Sequence, residues 1–415
     1  MRVAVVGAGV SGMTTAWEML SDGHEVDIFE ASSGIAAGAS FASLGCIGLS
    51  SLTAWDFVSP HLSHEGIRAI LPPPAWVRSL AGMLWLIKRG RHQSPDRQQE
   101  IFTAARAMAE RSSHQMNASM RYLHIGIEST QGVMVALRSP EIQRETQSGL
   151  NRLKLTSVPV LEWDEAATRK AEPALSSDIP LVGSIVLPTD FAINGRQWLT
   201  VLKTKIIQLG GNFHMRTIVR RVTPDGRLET DTSSTQSWAR PFDAIVICAA
   251  EGAPALLRPL GMELPLMTLN HCSVSTPVKD PLLAPHSVLI DAQNRVFISR
   301  IGQRIRASSA AAVLPGGNAQ SIFQELYKAL EDWFPGAAQL HGSQAMVQSW
   351  QASCAHTPDG LPLLGRTHHP RVWVNVGHGT RGWTFAPGAA RLLADMLSGK
   401  SLCMDATAFD VQRAF

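Results

Sequence analysis

Three observations predict an α/β chain, α+β overall. They are a strand–glycine turn–helix–strand unit at the start, a second strand–glycine turn–helix unit near the end, and β-rich runs between them. Together they describe a Rossmann-like domain assembled from the start, middle and end of the chain. It is interleaved with a second domain on a mostly antiparallel sheet.

The opening unit justifies itself residue by residue. VAVVG (Val3 to Gly7) is a buried β-run, MTTAWEML continues as a helix, Gly23 and His24 turn the chain, and EVDIFE ends at Glu30. Gly7, Gly9 and Gly12 have separate duties: a tight turn, close backbone approach to a pyrophosphate, and close helix–strand packing. The helix N-terminus offers unpaired N–H groups to phosphates. An acid at Glu30, about 20 residues on, suits ribose hydroxyls and favours FAD or NAD over NADP.

After Glu30 comes a Gly-, Ala- and Ser-rich loop, SSGIAAGASFASLGCIGLSS, of the kind that brings backbone amides close to a ligand. AWVRSLAGMLWLIKRGR (Ala75 to Arg91) is apolar with a basic end. It reads as a core-facing helix or as one lying on an anionic membrane surface. A long helix is expected from Arg97, then strands over 132–137, 157–163 and 183–188, with a short helix from Asp164 to Ala174. GRQWLTVLKTKIIQLGGN is an amphipathic helix leading to a strand in NFHMRTIVRRV and another in PFDAIVICAA. Met267 to Thr276, Ser287 to Arg300 and Arg304 to Ala312 form a second β-rich group, followed by the helix SIFQELYKALEDWF. RVWVNVG is then a strand, GHGTRGWT a glycine turn, and APGAARLLADMLSG a helix. The expected division is a nucleotide-binding domain over 1–55, 190–255 and 345–415, and a substrate domain over 56–189 and 256–344.

A chain of 415 residues with 45% hydrophobic and 17% charged residues forms a large core in more than one lobe. A net charge of +3 gives no basis for nucleic-acid binding, so none is expected. Five scattered cysteines without a CxxC argue against a disulfide framework or a zinc site and suit a reducing compartment. With no leader-like start and no apolar run of spanning length, the expected location is cytoplasmic. Peripheral contact with the inner face of a membrane stays open through the Ala75–Arg91 stretch.

The C-terminal turn carries the second piece of chemistry. Gly377, Gly379 and Gly382 cluster backbone N–H groups beside a helix N-terminus, an arrangement that stabilises negative charge developing on a reduced flavin ring. NAD does not need this second arm, whereas an isoalloxazine does.

The two ends together resemble the D-amino-acid oxidase superfamily of FAD-dependent oxidoreductases, and within it the D-amino-acid dehydrogenase branch. The likeness is carried by VAVVGAGVSGMTTAWEML…HEVDIFE, GASFASLGCIGLS, LPTDFAINGRQWLTVL, PFDAIVICAAEGAPALL, WQASCAHTPDGLPLLGR and VWVNVGHGTRGWT, and so spans nearly the whole chain. It implies an FAD-binding domain and an enzyme that oxidises the C–N bond of an amino acid or related amine. A hydride passes to flavin N5, and the imine product hydrolyses to oxo acid and amine. It also implies a small-molecule amine or amino-acid substrate and an electron acceptor that is a membrane quinone or oxygen. Carried over residue by residue, Gly7, Gly9, Val10, Ser11 and Gly12 hold the pyrophosphate, and Glu30 with Ala31 the ribose. Ser40, Ser43, Leu44 and Gly45 line the flavin, and Val219 meets the adenine. Cys248, Ala249 and Ala250 border the cofactor, the family commonly having a glycine at Ala250. Gly379, Thr380, Arg381, Gly382, Trp383 and Thr384 cover the pyrimidine end.

The substrate end departs from the family. A carboxylate-binding arginine is usual where this chain has Cys354; Ser308 and Ser309 stand where glycines are usual, and Ala312 where an acid is common. A thiol cannot replace a bidentate cation. Arg381, Arg300 and Arg306 are the candidates to compensate, with His378 orienting the turn or acting as a base. The catalytic candidates are therefore Arg381, Cys354, Arg300 and His378, and no metal is expected. Two alternatives stay open: a flavin-dependent tRNA-modification enzyme, and a catalytically altered flavin-binding subunit.

Overall fold

The apolar run after Met1 forms β1 (Arg2–Val6), the glycine turn leads into α1 (Val10–Ser21), and β2 (Glu25–Glu30) returns alongside in parallel. This computed structural model describes residues 1–43, 45–52, 80–123, 126–231, 240–309, 319–340, 346–402 and 404–415. The chain continues through α2 (Ala39–Ala42), β3 (Cys46–Ile47), α3 (Leu80–Gly90), α4 (Pro95–Leu123), β4 (Ser129–Leu137) and α5 (Pro140–Lys154). Next come β5 (Leu161–Asp164), α6 (Glu165–Ala171), β6 (Gly183–Ile193), α7 (Gly195–Gln208), β7 (Asn212–Met215), β8 (Val219–Val222), β9 (Leu228–Thr230) and β10 (Ala244–Ile247). Then follow α8 (Ala253–Leu257), β11 (Met267–Pro277), β12 (Val288–Asp291), β13 (Val296–Ile301), β14 (Arg304–Ser309) and α9 (Gln320–Trp333). The last elements are β15 (Gln348–His356), β16 (Leu363–Arg366), β17 (Val372–Val376) and α10 (Gly382–Leu397).

Two large sheets result. The first has the order β16-β17-β10-β1-β2-β7, parallel except for β16. Its central strands are buried on both faces, as the near-continuous apolar runs require. Val3, Val5 and Val246 pack beneath α1 and α10, while Ala4, Val6, Ile245 and Ile247 face a second core. The other sheet has the order β15-β11-β14-β13-β12-β4-β6-β3 and is antiparallel except where β12 meets β4, with β5 pairing β6 as well.

The α/β architecture is as read from the sequence, and the differences are local. The strand expected across NFHMRTIVRRV is broken at Arg216, whose φ of 52° is left-handed. β7 therefore joins the first sheet, whereas β8 pairs β9 apart from it. Of the run expected over 157–163 only the part from Leu161 on is a strand, β5, which ends at Asp164; Asp164 also caps α6, its Oδ1 accepting the Ala167 N–H. α10 begins at Gly382, inside the expected turn. β15 lies in the second sheet, on the far side of the expected boundary at 345, because it pairs with β11 from Gln348 to His356. β6 runs across the boundary at 189, and β3 pairs with it. Ala312, Leu44 and residues 75–79 of the apolar stretch lie outside the described residues. Among the described residues no helix is long and apolar enough to cross a membrane.

Candidate functional site

The dinucleotide end is built by backbone geometry. Gly7 holds φ at 106°, and a Cβ there would lie 2.6 Å from the carbonyl oxygen of Cys248. A Cβ on Gly12 would overlap the carbonyl oxygen of Gly7. Strand, turn and helix thus touch at a distance only glycine permits. Glu30 holds the neighbouring turns: its two carboxylate oxygens accept the N–H groups of Ala8 and Ser32, each at 2.8 Å. Each oxygen retains a second lone pair for a ribose hydroxyl. Gly9 precedes the first turn of α1, and the Val10 N–H donates to Ser40 Oγ at 3.0 Å. Ala31 is exposed just past Glu30, and Val219 opens β8 two residues after Thr217, whose N–H donates to the Glu30 carbonyl.

A cavity opens from this turn toward the second sheet. Val10 and Ser11 line one side; Ser40, Ser43 and Gly45 come from the loop, and Ala250 follows the end of β10. His378 to Thr384 line another side, and Cys354 belongs to the wall made by the second sheet. Cys248 and Ala249 sit behind, at the close approach to Gly7. Ala250 holds φ at 46°, a left-handed conformation in a residue with a Cβ.

The N-terminal and C-terminal turns are joined by a chain of hydrogen bonds. Thr15 Oγ1 donates to the Ser11 carbonyl at 2.7 Å and accepts Asn375 Nδ2 at 2.9 Å. Asn375 Oδ1 then accepts His378 Nε2–H at 2.6 Å. This fixes the tautomer, so His378 Nδ1 carries a lone pair, and that atom has no hydrogen-bond partner. Burial drives the His378 pKa down to about 4, so the ring is neutral near pH 7 and orients the turn. A Cβ on Gly379, where φ is 54°, would lie 2.6 Å from Nδ1 of His356. Thr384 Oγ1 donates to the Cys46 carbonyl, clasping the loop to the start of α10. Trp383 stacks edge-on with Trp198, and its indole N–H is unpartnered beside the cavity.

The candidate arginines separate clearly. Arg381 lines the cavity, its Nε donating to the Ser51 carbonyl and one terminal N–H to the Gly360 carbonyl. Burial lowers its pKa to about 10, which leaves it cationic near pH 7. Arg306 is half-buried and spends one N–H on the Ser43 carbonyl at 2.8 Å, tying β14 to the loop. Arg300 is not brought to the cavity: its guanidinium donates to the carbonyls of Gly302 and Pro281. The alternation of β13 and the turn at Gly302 aim it away, which strand periodicity alone did not resolve. Cys354 faces the cavity from β15, opposite Leu269 of β11, and burial pushes its thiol up to about 12. It is a neutral wall residue.

Other residues enter the site without a sequence motif. Asn375 is a buried amide in the apolar run VWVNV, a signal that was visible in the sequence. His271, Phe297 and Ser353 line the cavity from β11, β13 and β15. Arg413 clamps the TPDG turn, its guanidinium donating to both oxygens of Asp359 at 2.8 and 2.9 Å.

These residues suit FAD. The helix N-terminus at the glycine turn, the Glu30 carboxylate and a cavity that carries unpaired buried donors and acceptors supply the groups a flavin dinucleotide needs. Comparison with known proteins agrees. A family model described as DAO, FAD dependent oxidoreductase, matches residues 2–396. The chain is 30% identical over 424 residues to a D-amino acid dehydrogenase 1 of Mesorhizobium japonicum, covering 100% of this chain and 99% of that one. It is 26% identical to a D-amino acid dehydrogenase of Rhizobium rhizogenes, covering 100% of both. A solved structure of glycine oxidase from Geobacillus kaustophilus superposes with a TM-score of 0.75 at 21% identity, covering 100% of this chain and 99% of that one.

Proposed function

The chain belongs to the DAO family of FAD-dependent oxidoreductases and takes FAD as its cofactor, and from that premise we propose that it oxidises the C–N bond of an amino acid or related amine. The observation that carries this reading is the cavity itself. It joins the dinucleotide turn to the His378–Thr384 turn and ends on a wall from the second sheet. When bound, FAD supplies the two-electron acceptor that takes a hydride at its N5.

This chain's residues do the positioning. The start of α10 and the turn before it line the cavity, and the helix N-terminus there favours negative charge. Among the described residues lining the cavity, Arg381 is the only charged one, and no carboxylate lines it. An ammonium group entering such a site is desolvated without an anionic partner, so the substrate nitrogen reacts unprotonated. The Arg381 charge favours a carboxylate and stands in for the fork that Cys354 lacks, so recognition differs from that of an ordinary D-amino-acid dehydrogenase. Oxidation gives an imine, which water then converts to the oxo acid and free amine. For reoxidation the reading is a membrane quinone ahead of oxygen. Exposed Met83, Leu84, Leu86 and Ile87 on α3, followed by Lys88, support contact with a lipid surface.

Anaerobic titration of the flavin with D-amino acids, N-methyl amino acids, cyclic imino acids and their esters tests the reading. Bleaching by at least one class is expected, with a quinone analogue restoring the colour faster than oxygen. A flavin that no member of the panel bleaches overturns it.

A further inference from the structure

The cavity wall formed by the second sheet carries a polar group that the family resemblance does not assign. Alternate residues of a strand share a face. On β11, Cys272 and Val274 face a core beneath the sheet, so His271 and Ser273 face the cavity side. The pairings put Cys354 opposite Leu269, Ala352 opposite His271, and Ser308 of β14 opposite Ser273. His271, Ser308 and Cys354 therefore share one wall, and all three line the cavity.

The chemistry of the His271 ring is fixed by its neighbours. Nδ1 lies 3.2 Å from the Ser309 carbonyl oxygen. A carbonyl only accepts, so the ring proton is on Nδ1 and Nε2 keeps its lone pair. The residue is 8% exposed, yet Nε2 has no hydrogen-bond partner. Buried polar atoms are nearly always paired, and an unpaired one beside a cavity points to a ligand. Burial, with the Arg306 cation on the adjacent strand, holds the His271 pKa near 4, so the ring stays a neutral acceptor.

We infer that His271 is the specificity-determining residue for the substrate's nitrogen, its Nε2 accepting a hydrogen bond from the substrate N–H. This rests on the proposed amine oxidation. It assigns the wall a positive requirement in place of the missing arginine: a primary or secondary amine satisfies Nε2, whereas a tertiary amine or a des-amino acid leaves it orphaned. Ser308 Oγ, also without a partner, offers a second neutral contact on the same wall.

The test compares holoenzyme with His271→Phe, which keeps a planar ring and removes the acceptor, and with His271→Gln, which restores one. The probes are D-alanine, D-proline and N-methylglycine, set against propionate and N-methyl-D-proline. Half-saturation is read from perturbation or bleaching of the flavin spectrum, and FAD content and melting temperature check folding. The expected result is a tenfold or greater rise in half-saturating amine for His271→Phe, partial recovery in His271→Gln, and propionate binding changed by less than about twofold. Bleaching of His271→Phe with unaltered half-saturation, or equal weakening of amines and propionate, overturns the assignment and leaves the amine reading standing. A wild-type flavin bleached by no amine overturns both.

Discussion

The dinucleotide turn and the cavity wall on the second sheet bind opposite ends of one site by different means. At the turn backbone geometry does the work: Gly7 and Gly12 let strand, turn and helix pack against their own carbonyls and so place the first N–H groups of α1, and each glycine position admits almost no other residue. At the wall the side chains do it. β11, β14 and β15 present Ser273, Ser308 and Cys354 on a scaffold whose hydrogen bonds are indifferent to what those side chains are. A backbone site resists change in sequence, whereas a wall of side chains can exchange its chemistry one residue at a time.

Substitutions at the two ends test this contrast. The largest effect is expected for Gly12→Ala, whose Cβ would overlap the Gly7 carbonyl and has only backbone to displace. A loss of about 3 kcal/mol or more in stability, together with colourless protein, is expected from melting curves and flavin absorbance. Retention of full FAD would break the contrast. Cys354→Arg comes next. If the wall scaffold tolerates exchange, common D-amino acids should bleach the flavin at a half-saturating concentration at least about tenfold lower than in wild type. Unchanged values would show that Arg381 already supplies the whole carboxylate contact. The smallest effect belongs to Ala250→Gly. Its left-handed φ costs about 1 kcal/mol in an L-residue, partly offset by the greater freedom of glycine in the unfolded chain. A rise of roughly 1–2 °C in melting temperature is expected.

Legibility in the sequence follows the same division. The β1–α1–β2 unit was readable because glycine spacing, apolar runs and Glu30 all report on backbone geometry. The start of α10 was placed too late because Gly382 signals a turn as well as a helix N-terminus. The strand break at Arg216 was missed because no glycine marks its left-handed conformation. At the wall, the strands β11 and β14 were predicted, but β15 was not, and neither was the facing of their side chains. Arg300 was placed in the site although its guanidinium turns to Gly302 and Pro281. His271 was passed over because a lone histidine in a strand carries no spacing signal. Its importance exists only through Ser309 on a neighbouring strand and the cavity beside it.

The strand order β17-β10-β1-β2 has a consequence for synthesis. β1 leaves the ribosome before β2 and finds it within thirty residues, but its other edge faces β10, more than two hundred residues later. At about 5–20 residues per second, that apolar edge stays unpaired for roughly ten seconds or longer. α10, which closes the cavity, follows later still. An exposed edge of this kind pairs readily with other chains. The glycine turn is thus complete long before the cavity it opens into, and the free edge of β1 is covered only when β10 arrives.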